Sequence, residues 1–337
     1  MPSIRDVADL AGVSIATVSR YLSDPESIRR DNRERVESAI KRIDYAPNAL
    51  AQNFRRGRSG IIMVVLPSVG DPFFTEVMRG IAHVARERHY SIVIRETAMN
   101  TMSLDEYSDM VLSKQADGII LLASTCPVTP MRQRPQGAPP APIVLGCENV
   151  TPELGRLPSV RIDNKAAAAQ ATRHLLDLGH RRIGFVAGPS HSELTADRER
   201  GYRAAMKKAG VRVAGDWIVE GDLTIDGARQ AVRKLLNHPQ PPTAIFCAND
   251  EMAAGAIHEI KSAGLQVPAD ISVVGFDDTR YAAILDPPLT TIAQPARAIG
   301  ERTMLRILHA VDGTDIGGEP EIVPHRLVVR QSTAPPP

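Results

Sequence analysis

Two textures of hydrophobic spacing divide the chain near residue 60. Before it, Ile4, Val7, Ala8 and Ala11 recur at three- and four-residue intervals, the period of a helix with one apolar face. Ser3 precedes this run as an N-cap and Gly12 follows it as a stop. Ser14 caps a second short helix over 15–22, with Val18 and Leu22 on one face. A third spans about 30–43, with Val36, Ile40 and Ile43 inward. Two short helices joined at Gly12 predict a helix-turn-helix. Beyond residue 60, short apolar runs alternate with amphipathic stretches. The runs lie at 61–67, 90–95, 118–123, 142–146, 182–187, 244–248 and 272–276, with a last one at 326–330. Helical periodicity falls near 74–88, 104–114, 165–179, 197–209, 226–237 and 251–263. Such alternation predicts parallel sheets with helices on both faces. Seven or more strands exceed one core, so an α/β body of two doubly wound subdomains is expected behind an all-α headpiece.

Composition changes this picture little. Of 337 residues, 43% are apolar and 23% charged, which is ordinary for a globular chain. Lys plus Arg number 40 against 39 Asp plus Glu, but residues 1–60 hold eleven basic and eight acidic side chains, net +3, and the remainder is net −2. Arg55, Arg56 and Arg58 cluster beside Gly57 and Gly60. A small basic module followed by a Gly-punctuated linker suits DNA binding, although a basic run is also what a solvated face looks like. Cys126, Cys147 and Cys247 are odd in number and lack CxxC spacing, arguing against a disulfide framework or a zinc site. The longest apolar run, 61–67, is far shorter than the ~20 residues that cross a bilayer. The first residues lack a basic-then-apolar signal pattern, and a soluble, cytoplasmic, nucleoid-associated protein without a membrane partner is expected. Six prolines over 127–142 predict a surface loop, and the tail 334–337 is expected to be disordered. The phosphate-cradling, dinucleotide and nucleophile-elbow motifs are missing, and His258-Glu259 is followed by Ile-Lys-Ser rather than a second metal-binding His. No catalytic residue, metal or cofactor is therefore expected.

The run from Ile4 to Leu22, IRDVADLAGVSIATVSRYL, closely resembles the headpiece of the lactose-repressor (LacI/GalR) family of bacterial transcription regulators. The likeness continues through Arg33-Glu-Arg-Val36, Tyr45-Ala-Pro-Asn48 and Ala49-Leu-Ala51. Read physically, a recognition helix offers N-terminal side chains to base edges while hydroxyls and amides hold phosphates. Ile15, Ala16 and Arg20 take the base-facing positions, with Thr17 and Ser19 available for phosphates and Ser3, Ile4 and Ser14 as further DNA-contact candidates. Arg20 could read a guanine bidentately, worth ~1–3 kcal/mol of discrimination. Ile15 either touches a thymine methyl or packs in the core. The segment 48–56 resembles the family's hinge helix, which orders on the operator in pairs within the minor groove. The resemblance implies roles there for Asn48, Ala51, Phe54 and Arg55, with Phe54 at the wedge position where many members carry Leu; the alternative for Phe54 is a core aromatic. A wedge kinks the duplex, and the arginines add salt-dependent phosphate attraction.

Behind the headpiece the resemblance implies a periplasmic-binding-protein-like body, with a small ligand between its subdomains. Landmarks are Asp71-Pro-Phe-Phe74, Asp163-Asn164, Gly188-Pro189, Asn249-Asp250 and Gly275-Phe-Asp277. The implied organisation is a headpiece at 1–46, a hinge and linker at 47–60, one subdomain at 61–162 plus 294–321, and a second at 163–293 plus 322–333. The implied effector contacts are Asp71, Asn249 and Asp277 for hydroxyls, Arg198 for an oxygen, and Phe73 or Phe74 for stacking, at most one ring reaching the ligand. Ser192, Leu223 and the edge ending in Glu148 complete the walls. Asp71 could instead only cap a helix, and Asp277 only form a turn. The runs 71–81, 114–118 and 286–295, with Glu148, are similar to the cytidine-repressor branch of the family, which implies a nucleoside effector with Glu148 on a base amino group. A pentose or other sugar is the competing effector, and a sugar-transport protein the distant alternative. The resemblance further implies a homodimer on a pseudo-palindromic operator, and admits a co-regulator such as a cyclic-AMP receptor protein. No C-terminal leucine heptads argue for a tetramer.

Overall fold

The computed structural model describes residues 2–45, 58–97, 104–122, 141–148 and 157–337. They form two compact units that divide between Ser59 and Gly60. Asn48, Ala51, Phe54 and Arg55, together with most of the proline-rich loop, lie outside the described residues.

The first unit holds α1 (Ile4–Ala11), α2 (Ile15–Ser23) and α3 (Arg30–Ile43). Ser3 and Asp6 form a capping box: the Asp6 N–H donates to Ser3 Oγ at 3.3 Å and the Ser3 N–H to Asp6 Oδ2 at 2.7 Å. At Gly12 the chain turns at φ +62°, a left-handed conformation that costs a residue with a Cβ more than glycine. Its carbonyl accepts from Arg35 Nη2 at 3.1 Å, tying the turn to α3. Val7, Ala8, Ala11, Val18, Val36 and Ala39 form the core, as the period predicts, with Ile4, Ile40 and Ile43 packed against it.

The second unit contains two six-stranded sheets. In chain order the elements are β1 (Ile61–Leu66), α4 (Pro72–Glu87), β2 (Ser91–Glu96), α5 (Leu104–Leu112), β3 (Gly118–Leu121), β4 (Ile143–Gly146), β5 (Ser159–Arg161), α6 (Asn164–Asp177), β6 (Ile183–Ala187), α7 (Glu193–Lys208), β7 (Ile218–Glu220), α8 (Ile225–Leu236), β8 (Ala244–Cys247), α9 (Asp250–Ser262), β9 (Ser272–Asp277), β10 (Thr290–Ala293), α10 (Ala296–Val311), β11 (Glu321–Ile322) and β12 (Arg326–Val328). The first sheet runs β2-β1-β3-β4-β5-β11 and the second β7-β6-β8-β9-β10-β12. The same order occurs twice, and every pairing is parallel except β10 with β12. The chain therefore passes between sheets after β5, after β10 and after β11. Ile322 still pairs with Arg161 in the first sheet, one residue beyond the expected change at 321. Helices α4 and α10 cross through reciprocal glycines: a Cβ on Gly80 would lie 2.1 Å from Arg297 O, and one on Gly300 2.0 Å from Val77 O.

Three features depart from the sequence expectations. Strands β5, β7, β10 and β11, of two to four residues each, and helix α10 have no counterpart among the runs read from the sequence. The apolar run at β2 forms an edge strand, with Val93 43% and Ile94 49% exposed. The expected disorder of 334–337 is corrected at Ala334, whose N–H donates to Ser272 Oγ at 3.0 Å and whose carbonyl lies 2.8 Å from His180 Nε2. Side chains 62 and 154 residues away in sequence supply those partners, which no local pattern announces.

Candidate functional site

Two sets of side chains carry the chemistry, one in each unit. In the first, Ser14 caps α2 by accepting from the Thr17 N–H at 3.2 Å, and its hydroxyl lies 3.0 Å from that of Thr17. With Val18 buried, the helical period turns Ile15, Ala16 and Arg20 outward. Ile15 is 40% exposed and outside the core, which sets aside the reading that it packs inside. Thr17 and Ser19 are half-buried. Ser3 is occupied as a cap and Ile4 packs against the core, so both, like Ser14, have a structural duty. The exposed face thus offers one guanidinium, small apolar side chains and two hydroxyls, a set that can meet a major groove.

The second set lines a crevice at the C-terminal ends of strands, where doubly wound sheets take ligands. β4 leads directly into Cys147 and Glu148, and β9 ends at Asp277. Asp71, Ser192 and Asn249 cap α4, α7 and α9, accepting from Phe73 N at 2.8 Å, Thr195 N at 3.5 Å and Met252 N at 2.8 Å. Asp71 is thus a cap, and its charge also interacts with that of Arg198. Leu223 stands at φ +66° and its carbonyl accepts from Asn249 Nδ2 at 3.0 Å.

Arg198 is the hub. It is buried, donates from Nε to Asn164 Oδ1 at 3.0 Å and from Nη1 to Ala248 O, and places Nη2 3.9 Å from Asp277 Oδ1. Its guanidinium carbon lies 3.7 Å from the centroid of the Phe276 ring, a cation–π contact in a desolvated site. Asp277 holds φ +117°, a strained conformation for a residue with a side chain, and accepts from Gln294 Nε2 at 2.6 Å. Such strain persists where surrounding structure over-determines it, commonly at binding sites, which sets Asp277 apart from an ordinary turn residue.

The electrostatics follow from burial. Burial pushes the Glu148 carboxyl up to about 8, partly opposed by Arg198. It also raises Asp71, Asp250 and Asp277, and the Cys147 thiol well above its usual range. Burial lowers Arg198, offset by Asp277 and Glu148. At this site three buried polar atoms have no hydrogen-bond partner among the described residues: Glu148 Oε2, Asn164 Nδ2 and Thr195 Oγ1. An unsatisfied buried group costs about 1–3 kcal/mol, so this trio from both subdomains is suited to a ligand's donors and acceptors.

The aromatic pair divides. Phe73 and Phe74 meet edge to face at 5.4 Å, both buried. Phe73 lines a cavity of about 470 Å³ with Asp277 and Gln294, whereas Phe74 lines a separate apolar one of about 370 Å³ with Leu66, Val69, Met78 and Ile94. Asn164, Asp250 and Phe276 are structural partners that the sequence reading did not single out, although each lies inside a quoted landmark. Asp250 accepts from Thr291 Oγ1 at 2.6 Å and from the Thr279 N–H at 2.7 Å. Thr195 carried no signal in the sequence.

Known proteins give this geometry a context. Residues 3–48 match the family of bacterial regulatory proteins, lacI family, and residues 172–333 match the periplasmic binding protein-like domain. The HTH-type transcriptional repressor CytR of Escherichia coli (strain K12) is 39% identical over 331 residues, covering 98% of this chain and 96% of that protein. The ribose operon repressor of the same strain is 36% identical over 313 residues, covering 92% and 93%. The crystal structure of the lac repressor dimer bound to operator and the anti-inducer ONPF superposes with a TM-score of 0.83 at 28% identity, covering 99% of both chains.

Proposed function

The chain belongs to the LacI family of bacterial regulatory proteins, a DNA-binding transcriptional regulator with a ligand-binding core, and on that premise we propose a nucleoside as its effector. The observation that carries this reading is Glu148: a buried carboxyl, 3% exposed, with one oxygen unpartnered at the edge of the crevice. A heterocycle beside Phe73 would offer it an amino or imino group, while Asp277, Asn249 and Arg198 are suited to ribose hydroxyls. The similarity to CytR across nearly the whole chain supports the same choice. A free pentose is the second reading, favoured by the similarity to the ribose operon repressor and by the predominance of hydroxyl-matching groups over aromatic ones.

The regulator works as a homodimer in the cytoplasm, one headpiece on each operator half-site. Arg20, Ile15 and Ala16 read bases; Thr17, Ser19 and Ser14 hold phosphates. Ligand closure of the crevice moves one subdomain against the other about the three chain crossings and so alters operator affinity. That coupling is reciprocal: operator and effector change each other's affinity by one factor. A thermal-shift screen of nucleosides, pentoses, hexoses and purine bases tests the effector. A ligand at a hundredfold excess over its Kd stabilises the native state by about 2.7 kcal/mol. Response to cytidine, adenosine or uridine without response to free sugars is expected; response to a free sugar alone replaces the nucleoside with the second reading.

A further inference from the structure

Among the described residues the crevice is short of positive charge. Asp71, Glu148, Asp250 and Asp277 are half-buried or buried there, together with the Cys147 thiol, and Arg198 is the cation that acts on this group. The donors of Arg198 are already directed to Asn164, Ala248 and Asp277, and its face is covered by Phe276. Arg297 lines the same cavity as Phe73 and Asp277, where it pairs with Glu301 at 3.1 Å.

The second source of anion affinity is mostly occupied. Helix N-termini are ready sites for phosphate, because their first N–H groups lack partners and the dipole favours negative charge. Four of the helices that begin at strand ends here are capped by their own residue, whereas α10 starts at Pro295 without a side-chain cap. Asp71 accepts from Phe73 N, Ser192 from Thr195 N and Asn249 from Met252 N, while Asp163 Oδ1 accepts from Ala166 N at 2.9 Å. On α4 and α6 the cap is itself a carboxylate, which places the protein's own anion where a phosphate would sit.

We infer that this crevice selects uncharged, polyhydroxylated or heterocyclic ligands and excludes their phosphorylated forms, so that the regulator responds to a nucleoside or free sugar and not to the nucleotide or sugar phosphate made from it. The inference rests on the crevice being the effector site. A phosphomonoester brings close to two negative charges at neutral pH and needs several charge-assisted donors. Here it meets one engaged guanidinium among four carboxyls, and a buried charge without a partner is strongly destabilising. The selectivity lies in the repulsive element as much as in the attractive contacts. The regulator would then sense the substrate of a kinase reaction, or the product of a phosphatase, rather than the phosphorylated metabolite.

The test uses the full-length protein and matched pairs by calorimetry and thermal shift: cytidine with cytidine 5′-monophosphate, adenosine with its monophosphate, ribose with ribose 5-phosphate, and glucose with glucose 6-phosphate. In any pair that responds, the phosphorylated member is expected to bind at least about tenfold more weakly. For the unaltered protein that preference widens from about pH 7 to about pH 9, as the Glu148 carboxyl ionises, and in Glu148→Gln it widens less. A responding hexose pair with the neutral member favoured removes the nucleoside and pentose readings and keeps the charge inference. A nucleotide that binds as tightly as its nucleoside does the reverse, overturning the charge inference alone. Silence from every pair overturns both.

Discussion

Arg20 and Arg198 carry the same side chain and face opposite problems. Arg20 stands on an exposed helix face, in a unit whose capping groups are satisfied locally by neighbours three residues away. Arg198 is buried and its partners come from α6, β9 and the segment after β8, up to 79 residues distant in sequence. The headpiece can leave its cations in water, because its ligand is a polyanion that docks from outside and releases counterions. The crevice must enclose a small molecule, so its polar groups are desolvated in advance and three of their atoms lack partners. One surface obtains affinity from charge density, the other from complementarity to a few buried donors and acceptors.

The largest effect should come from Arg198→Ala. Asp277, Asn164 Oδ1 and Ala248 O would lose their donor in a desolvated site, and breaking such a buried network typically costs ~3–5 kcal/mol. Denaturant unfolding of the second unit should show a loss of that order, and ligand response should vanish; a loss below ~1 kcal/mol would mean the network is solvated after all. The next concerns pH. The folded-state pKa of Glu148 is raised from the ordinary 4.5 to about 8. The folded protein therefore keeps a proton that the unfolded chain releases, and the resulting stability is complete below the unfolded value and is lost as pH rises through about 8. In that window stability should fall by up to ~1.4 kcal/mol per pH unit, and Glu148→Gln should flatten the slope.

Changes in the headpiece should be smaller and should leave the second unit untouched. Arg20→Ala is expected to weaken operator binding by ~1–3 kcal/mol and relax preference at one base pair per half-site, read by mobility shift on single-substitution operators. A uniform loss across all sequences, with a reduced salt slope, would reassign Arg20 to a phosphate. Ser14→Ala removes the α2 cap and should destabilise the headpiece by ~1 kcal/mol, read as a lowered midpoint for residues 1–59. Ser14→Asp should restore most of that stability while still impairing operator binding, which separates the cap from the phosphate contact.

Much of this organisation was visible in the order of residues alone. The headpiece core, its caps and the stop at Gly12 are local, set by side chains within one helical turn of each other, so periodicity and cap chemistry name them directly. The longer strands and most helices of the body are legible for the same reason, and the Asx caps at Asp71, Asp163 and Asn249 lie inside quoted landmarks. What the tertiary structure decided is nonlocal. It sent Phe73 toward the crevice and Phe74 into the apolar cavity beside β2, although the two are adjacent in the chain. It paired the tail at Ala334 with His180 and Ser272, and it built the α4–α10 crossing on two glycines 220 residues apart. It also set one guanidinium among four carboxyls. Counting charges along the chain shows near neutrality, because the sum is blind to which groups are buried together; burial and distance, which only the fold supplies, bring four acids and one guanidinium into one site.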